Sequence, residues 1–313
     1  TIPILPAEQI QRTGGGIASF DAGRGCPFQC SFCTIINVQG RKSRWRSAGD
    51  VERIVRQNVA RGVCRFFITH DNFSRNADWE NILDRLVELR EKAKLNVRFV
   101  IQVDAMCHRL PGFIEKAARA GVVRVVVGLE NINPGNLAGA NKKQNQIPEY
   151  RKMLLAWKRA GVTVIAGYML GFPLDTPESI SRDIATVQRE LPVDLLMFGC
   201  VTPLPGSEDH QRLYLAGAPM DPDLNKYDVE HATTDHPRMS RAEWQQAYQD
   251  AWTAFYSPQH IETVMRRAGA TGSGPGKVLT QLIWSYCSAV LEKGHPYQGG
   301  YLRRKYRHDR RPS

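Results

Sequence analysis

The stretch RGCPFQCSFCTI, residues 24–35, places Cys26, Cys30 and Cys33 within one short segment. Thiolates spaced this closely bind soft metals. A structural zinc site takes four ligands, ordinarily as two C-x2-C-like pairs. Cys64, Cys107, Cys200 and Cys287 are not paired with one another along the chain. A cubane iron–sulfur cluster takes one thiolate on each of four irons. Three cysteines therefore leave one iron open, and an open metal position in a water-poor pocket is where a substrate or cosubstrate chelates. The alternatives are zinc with a remote ligand, or three unrelated cysteines. The spacing, and the place of this loop among the elements around it, weigh against both.

Those elements alternate. Short runs rich in β-branched residues read as strands at 17–22, 64–69, 97–103, 123–129, 162–170 and 194–201. Helical stripes lie between them. Val51, Ile54, Val55 and Val59 share one face behind a Ser47–Asp50 cap. Ile82, Leu83, Leu86 and Leu89 form the next stripe, and Ile180, Ile184, Val187 and Leu191 a later one. Glycines 62, 121 and 161 end helices directly before strands. Six βα units in this span predict an α/β fold with a parallel sheet and right-handed crossovers, a partial (β/α)6 TIM-type barrel open on one side. Chemistry in such folds gathers at the C-terminal ends of the strands, and the cysteine loop follows the first strand directly. The expected divisions are a lead-in at 1–14, a core barrel at 15–205, a loop-rich and then α-helical C-terminal extension at 206–300, and a basic tail at 301–313. Trp244, Tyr248, Trp252 and Phe255 recur near helical spacing in the extension and read as core.

Composition narrows the class. The chain has 313 residues, 42% hydrophobic and 23% charged, as in a globular protein. No apolar run reaches the roughly 18 residues of a membrane span; VLTQLIWSYCSAVL, residues 278–291, falls short. No secretory signal is visible, and seven cysteines then fit a reducing cytoplasm and metal or redox chemistry. The net charge is +11, with basic clusters at 40–47 and 303–311. No RNA-recognition motif accompanies them, so a solvated basic face is favoured over nucleic-acid binding. The same charge suits steering of an acidic electron donor. The chain opens on Thr1, not Met, and ends in RHDRRPS; it is expected to be cut from a longer protein.

CPFQCSFC resembles the C-x3-C-x-aromatic-C signature of the radical S-adenosylmethionine (SAM) enzymes, with Phe32 at the aromatic position, and the likeness extends over residues 15–205. It implies a [4Fe-4S] cluster on Cys26, Cys30 and Cys33, with SAM chelating the fourth iron. It further implies that one electron cleaves SAM to a 5′-deoxyadenosyl radical. The segment THDNF puts Asp71 and Asn72, after His70, where the family has a Gly-Gly-Glu-like hold on the methionine amino group. Glu130, ending VGLEN, stands where a ribose-binding carboxylate often lies; a pair with Lys142 or Lys143 is the other reading. Gly171, Phe172 and Pro173, and then Val201 and Pro203, stand where the family approaches the adenosine, with ordinary loop packing as the alternative. Gln102, Asp104, Tyr168 and Cys200 fall at the barrel top without an assigned role.

Three segments resemble one branch, the cobalamin-binding-type radical SAM proteins: the GRKSRWRS region, FFITHDNFSRN, and LPGSEDHQRL with YSPQHIETVMRRA. Methylases of lipids and natural products belong to it. The resemblance implies methylation or a related modification of an unactivated carbon, a small-molecule or lipid substrate, and a flavodoxin or ferredoxin-type reductant. Cobalamin is implied only for a full-length parent, because 25 residues ahead of Cys26 cannot hold a cobalamin domain. A tRNA methylthiotransferase-like enzyme is disfavoured by the helical, Trp-rich extension. A non-catalytic iron–sulfur or SAM-binding protein would be expected to lack a cluster cysteine, and all three are present.

Overall fold

The computed structural model describes residue 8, residues 16–271 and residues 275–296, apart from the side chains of Ile36 and Lys277. The basic tail and, except for residue 8, the lead-in lie outside the described residues. In chain order the elements are β1 (Ile17–Phe20), β2 (Gly23–Arg24), α1 (Ile35–Val38), β3 (Arg44–Trp45), α2 (Ala48–Val59), β4 (Arg65–Ile68), α3 (Trp79–Glu91) and β5 (Arg98–Val103). There follow α4 (Phe113–Ala120), β6 (Val122–Glu130), α5 (Pro134–Gly139), α6 (Ile147–Arg159), β7 (Thr163–Leu170), α7 (Pro177–Glu190) and β8 (Leu195–Cys200). The extension adds α8 (Glu208–Leu215), α9 (Arg241–Phe255), α10 (Pro258–Ala270) and α11 (Pro275–Ser285), and a π-turn at Tyr286–Leu291.

Six strands form one sheet in the order β1-β4-β5-β6-β7-β8, and every neighbouring pair is parallel. β1 and β8 are its two edges, so the sheet curves into a partial barrel that stays open. The six strands read from the sequence are these six. The short β2–β3 ribbon is separate and antiparallel; it frames the base of the cysteine loop.

Parallel strands in α/β proteins are usually apolar on both faces. Here the two faces differ. On β6, Val125, Val127 and Leu129 are fully buried under the helices, while Arg124, Val126, Gly128 and Glu130 face the other way and keep some exposure. Gln102 on β5 and Gly167 on β7 share that inner, concave side. The helices supply the outer layer. Val51, Ile54 and Val55 of α2, and Ile82, Leu83, Leu86 and Leu89 of α3, all point into the core, each such side chain contributing about 1.5–3 kcal/mol on burial. Ser47 caps α2 by accepting from the Asp50 N–H at 3.1 Å. Gly121 ends α4 at φ +102°, where a Cβ would lie 2.8 Å from the Val97 carbonyl oxygen. The left-handed turn and the close strand both demand glycine there.

The aromatic stripe of α9 is core, as its spacing indicates. Trp244, Tyr248, Trp252 and Phe255 are all buried, and Phe198 of β8 meets Trp252 edge-on at 5.1 Å. Tyr168 is buried as well, its hydroxyl accepting from the Ile132 N–H. Cys200 is fully buried and its thiol is pushed far up by that burial. Tyr168 and Cys200 are therefore packed on the helix side of the sheet, away from the concave face.

Candidate functional site

The cysteine loop lies across the C-terminal ends of the strands, tied down from four directions. Its start is held by Asp71, just past β4, which accepts from the Gly25 N–H at 2.6 Å. Its middle is held by the turn after α5: the Ser31 N–H donates to the Ala140 carbonyl at 3.0 Å, and Asn141 Nδ2 donates to the Gln29 carbonyl at 2.8 Å. The first turn of α8 holds the same point, because Ser31 Oγ donates to Asp209 Oδ2 at 3.0 Å and the Asp209 N–H returns to the Ser31 carbonyl. The fourth tie is a cation over a ring. Arg75 sits 5.5 Å from the centre of the Phe28 ring, and its guanidinium grips Asp104 with two bonds, at 2.6 and 3.0 Å.

Cys26, Cys30 and Cys33 line one cavity of about 300 Å³ together with Phe28, Phe32, Asp71, Asn72, Gln102, Asp104, Glu130, Lys142 and Gln144. Its floor is the concave face of the sheet at Val126, Gly128 and Gly167. Burial pushes the Cys26 and Cys33 thiols up, while backbone N–H groups and the Lys142 charge pull them back. Thiols in such a setting gain most from a metal, which takes them as thiolates and neutralises them. Three thiols carried on one loop and lining one cavity are a donor set that fits a cubane, whose irons take one thiolate each.

Beside the thiols lies a partly buried ion pair. Glu130 ends β6 at φ +64°, in the left-handed region that a side chain enters only under constraint. Its carboxylate folds back over Gly128, where a Cβ would lie 2.2 Å from Oε1. Lys142 donates to that Oε1 at 2.7 Å and stands 5.6 Å from the centre of the Phe32 ring. Burial works against the Lys142 charge, but the Glu130 carboxylate helps to hold its pKa above the ordinary lysine value. Of the two readings of Glu130, the Lys142 pair is formed, and it is formed inside the cavity. Asn72 is buried and engaged with Asp104 and Ser74 at 3.0 and 2.7 Å. Burial raises the Asp71 carboxyl against its bond from Gly25.

The residues read from the sequence do not all meet. Gly171, Pro173, Val201 and Pro203 line a second cavity of about 320 Å³, with Asp209, Arg212, His236 and Trp244. The rings of Phe32 and Phe172, 6.1 Å apart and edge to face, stand between the two groups. Asp175 accepts from the Gly171 and Phe172 N–H groups at 2.9 and 3.0 Å, and His236 bonds the Phe172 carbonyl at 2.9 Å. This segment therefore presents apolar surface, with its polar backbone already engaged. Gly171 also has a packing reason: at φ +94° a Cβ would lie 2.0 Å from the Trp244 ring.

Sequence reasoning missed Arg75, Phe28 and Gln144. Arg75 does lie in FFITHDNFSRN, but nothing in its spacing points to Asp104, 29 residues on. Gln144 donates from Nε2 to the Cys30 sulfur at 3.4 Å, across 114 residues.

The pattern of the Radical SAM superfamily matches residues 21–187. A bacteriochlorophyllide d C-12(1)-methyltransferase of Chlorobaculum tepidum is 27% identical over 220 residues, 67% of this chain and 45% of that protein. A hopanoid C-2 methylase of Rhodopseudomonas palustris is 24% identical over 182 residues, 56% of this chain and 34% of that one. In fold, the chain is similar to the radical SAM methyltransferase TsrM of Kitasatospora setae, solved with cobalamin and a [4Fe-4S] cluster bound. That likeness has a TM-score of 0.59 at 20% identity and covers 74% of this chain and 46% of TsrM. The chain thus spans less than half the length of each.

Proposed function

Because the chain belongs to the radical SAM superfamily, we propose that it is the core of a radical SAM enzyme that methylates or similarly modifies an unactivated carbon. Cys26, Cys30 and Cys33 would hold a [4Fe-4S] cluster, leaving one iron for SAM. Such a cluster, when bound, supplies the electron that cleaves SAM to 5′-deoxyadenosyl radical and methionine. The observation that carries the reading is the shared cavity: three thiols, an aromatic side chain and a partly buried Lys142–Glu130 pair, all at the C-terminal ends of one parallel sheet.

The chain's own residues divide the work. Phe32, Asp71, Asn72 and Glu130 are proposed to contact SAM in the first cavity. Asp71 and Asn72 also fix the loop and its support, and Lys142 fixes the position of the Glu130 carboxylate. Gly171, Pro173, Val201 and Pro203 are proposed to receive the nucleoside end in the second cavity, past Phe32. Residues 15–205 are the proposed catalytic unit, with the extension from 206 bracing it through Asp209. The relatives' names support methyl transfer, and cobalamin in TsrM supports cobalamin carried by a longer parent protein. We propose a small-molecule or lipid substrate, a flavodoxin or ferredoxin-type reductant, and a reducing cytoplasm as the setting.

The test is anaerobic reconstitution, then counting of iron and sulfide, then reduction in the presence of SAM. About four irons per chain and release of 5′-deoxyadenosine are expected. Cys30→Ala should hold less iron and release none of the nucleoside. Equal iron in Cys30→Ala, or no 5′-deoxyadenosine from the reduced, iron-loaded protein, overturns the reading.

A further inference from the structure

The segment between α5 and α6 brings two polar side chains to the cavity of the cysteine loop: Gln144, which the proposed function does not use, and Lys142, which it uses only to hold Glu130. Gln144 aims an amide N–H at the Cys30 sulfur, 3.4 Å away. Lys142 brings a positive charge to the cavity that Cys30 and Cys33 line, held by Glu130 at 2.7 Å and 5.6 Å from the centre of the Phe32 ring. Both donors sit on a segment that is independently pinned. The Ala140 carbonyl and Asn141 Nδ2 bond the cysteine loop itself. Asn145 Nδ2 bonds the Leu129 carbonyl at 2.7 Å and meets the Tyr150 hydroxyl at 2.8 Å. The segment that carries them is thus anchored on either side, by Ala140 and Asn141 before and Asn145 after.

We infer that Lys142 and Gln144 tune the redox potential of a cluster on these cysteines, holding it easier to reduce than the cysteine loop alone would. The inference rests on the reading above. Reduction adds one electron, and so one negative charge, to the cluster; the electron comes from an external reductant such as dithionite. Hydrogen bonds to ligand sulfur, and nearby positive charge, stabilise the more negative state and raise the potential. The cavity's partial burial makes each effect larger than it would be in water. Carboxylates work the other way: Glu130, Asp71 and Asp104 line the same cavity, and they stay in place in every variant below, so a midpoint shift reads the change at Lys142 or Gln144 against them. Lys142 and Gln144 act through Cys30 and Cys33, so they are positioning residues and not catalytic ones.

The test is a potentiometric titration of the reconstituted protein without SAM, following the reduced cluster by electron paramagnetic resonance. Gln144→Leu removes the N–H and should lower the reduced fraction at the wild-type midpoint about three-fold. Lys142→Gln removes the charge and should shift the reduced-to-oxidised ratio about ten-fold, or 59 mV for one electron. Lys142→Arg restores the charge and should return the midpoint to near the wild-type value. Midpoints unchanged in Gln144→Leu and Lys142→Gln, each with a four-iron signal, overturn the inference and leave the radical SAM reading standing. A lowered midpoint that Lys142→Arg fails to restore overturns the part assigned to charge. A wild-type chain that assembles no four-iron cluster overturns both. Should Lys142→Gln not fold, the partly exposed Gln144 still decides the hydrogen-bond half.

Discussion

Replacing Arg75 with Met removes one member of a buried pair and leaves the other in place. The Asp104 side chain is 4% exposed and that of Arg75 27%. Besides the two Arg75 bonds, the carboxylate accepts from Asn72 Nδ2 at 3.0 Å, Ser74 Oγ at 3.1 Å and the Met106 N–H at 2.7 Å. Burial pushes the Asp104 carboxyl up, and its donors, Arg75 foremost, more than reverse this, holding it below the ordinary carboxylate value. Breaking such a pair from one side costs about 3–5 kcal/mol. Three donors stay behind and Arg75 keeps some water contact, so the low end, about 3 kcal/mol, is expected from urea unfolding at pH 7. The pH dependence gives an independent check. A lowered folded-state pKa means the wild-type contribution is complete above the unfolded value near 4 and is lost as pH falls through the lower folded value. In Arg75→Met burial acts without its largest counterweight, so the folded value rises above that of the wild type. The loss is then complete at neutral pH and shrinks as acid protonates the carboxylate. The gap between the two proteins should therefore narrow from pH 7 towards pH 4. A loss below about 1 kcal/mol, or a gap that is constant with pH, refutes this account of Asp104.

Three further outcomes follow from the same coordinates. Gly171→Ala forces a left-handed φ of +94° on a side chain that would overlap Trp244; about 1–2 kcal/mol of strain and 1–3 of overpacking should show as a clear fall in Tm, and an unchanged Tm would contradict the packing described. Lys158 and Asp194 form a fully buried pair, and Asp194 also accepts from the Val164 N–H at 2.9 Å, so Lys158→Met should cost about 3–5 kcal/mol while Lys158→Met/Asp194→Leu recovers part of it. Burial holds His70, His260 and His295 at about 4. Because the unfolded chain protonates them near 6.5, stability should fall as pH drops from 6.5 to 4, by up to about 1.4 kcal/mol per pH unit for each histidine; a flat profile from pH 7 to 5 would rule out neutral, buried rings.

The fold was legible because its signals are local. β-Branched runs, helical stripes such as Ile82, Leu83, Leu86 and Leu89, and stops at Gly62, Gly121 and Gly161 each repeat within a few residues, and repeated βα units have few topologies open to them. The cysteines were legible for the same reason, since one loop carries all three. The support around them was not. Arg75 meets Asp104 through β4–β5 pairing, and Gln144 meets Cys30 only once the turn after α5 crosses the loop. No periodicity encodes either contact. The Lys142–Glu130 pair could be named from proximity in sequence, 12 residues apart. That it would share the cavity with the thiols depended on the left-handed turn at Glu130 and on the missing side chain of Gly128. Gly171 and Pro173 were grouped with the cysteines by analogy, and the Phe32–Phe172 contact, which sets them in a separate cavity, is a tertiary fact.

The bond from Ser31 to Asp209 spans 178 residues. A ribosome adding roughly 5–20 residues per second needs about 10–35 s to deliver the second partner after the first. During that interval the nascent chain carries its thiols on a segment whose last anchor does not yet exist. Of the four ties on the loop, this one is the last that synthesis can complete, and a chain ended ahead of Asp209 would keep those from Asp71, Ala140 and Arg75 but never gain it.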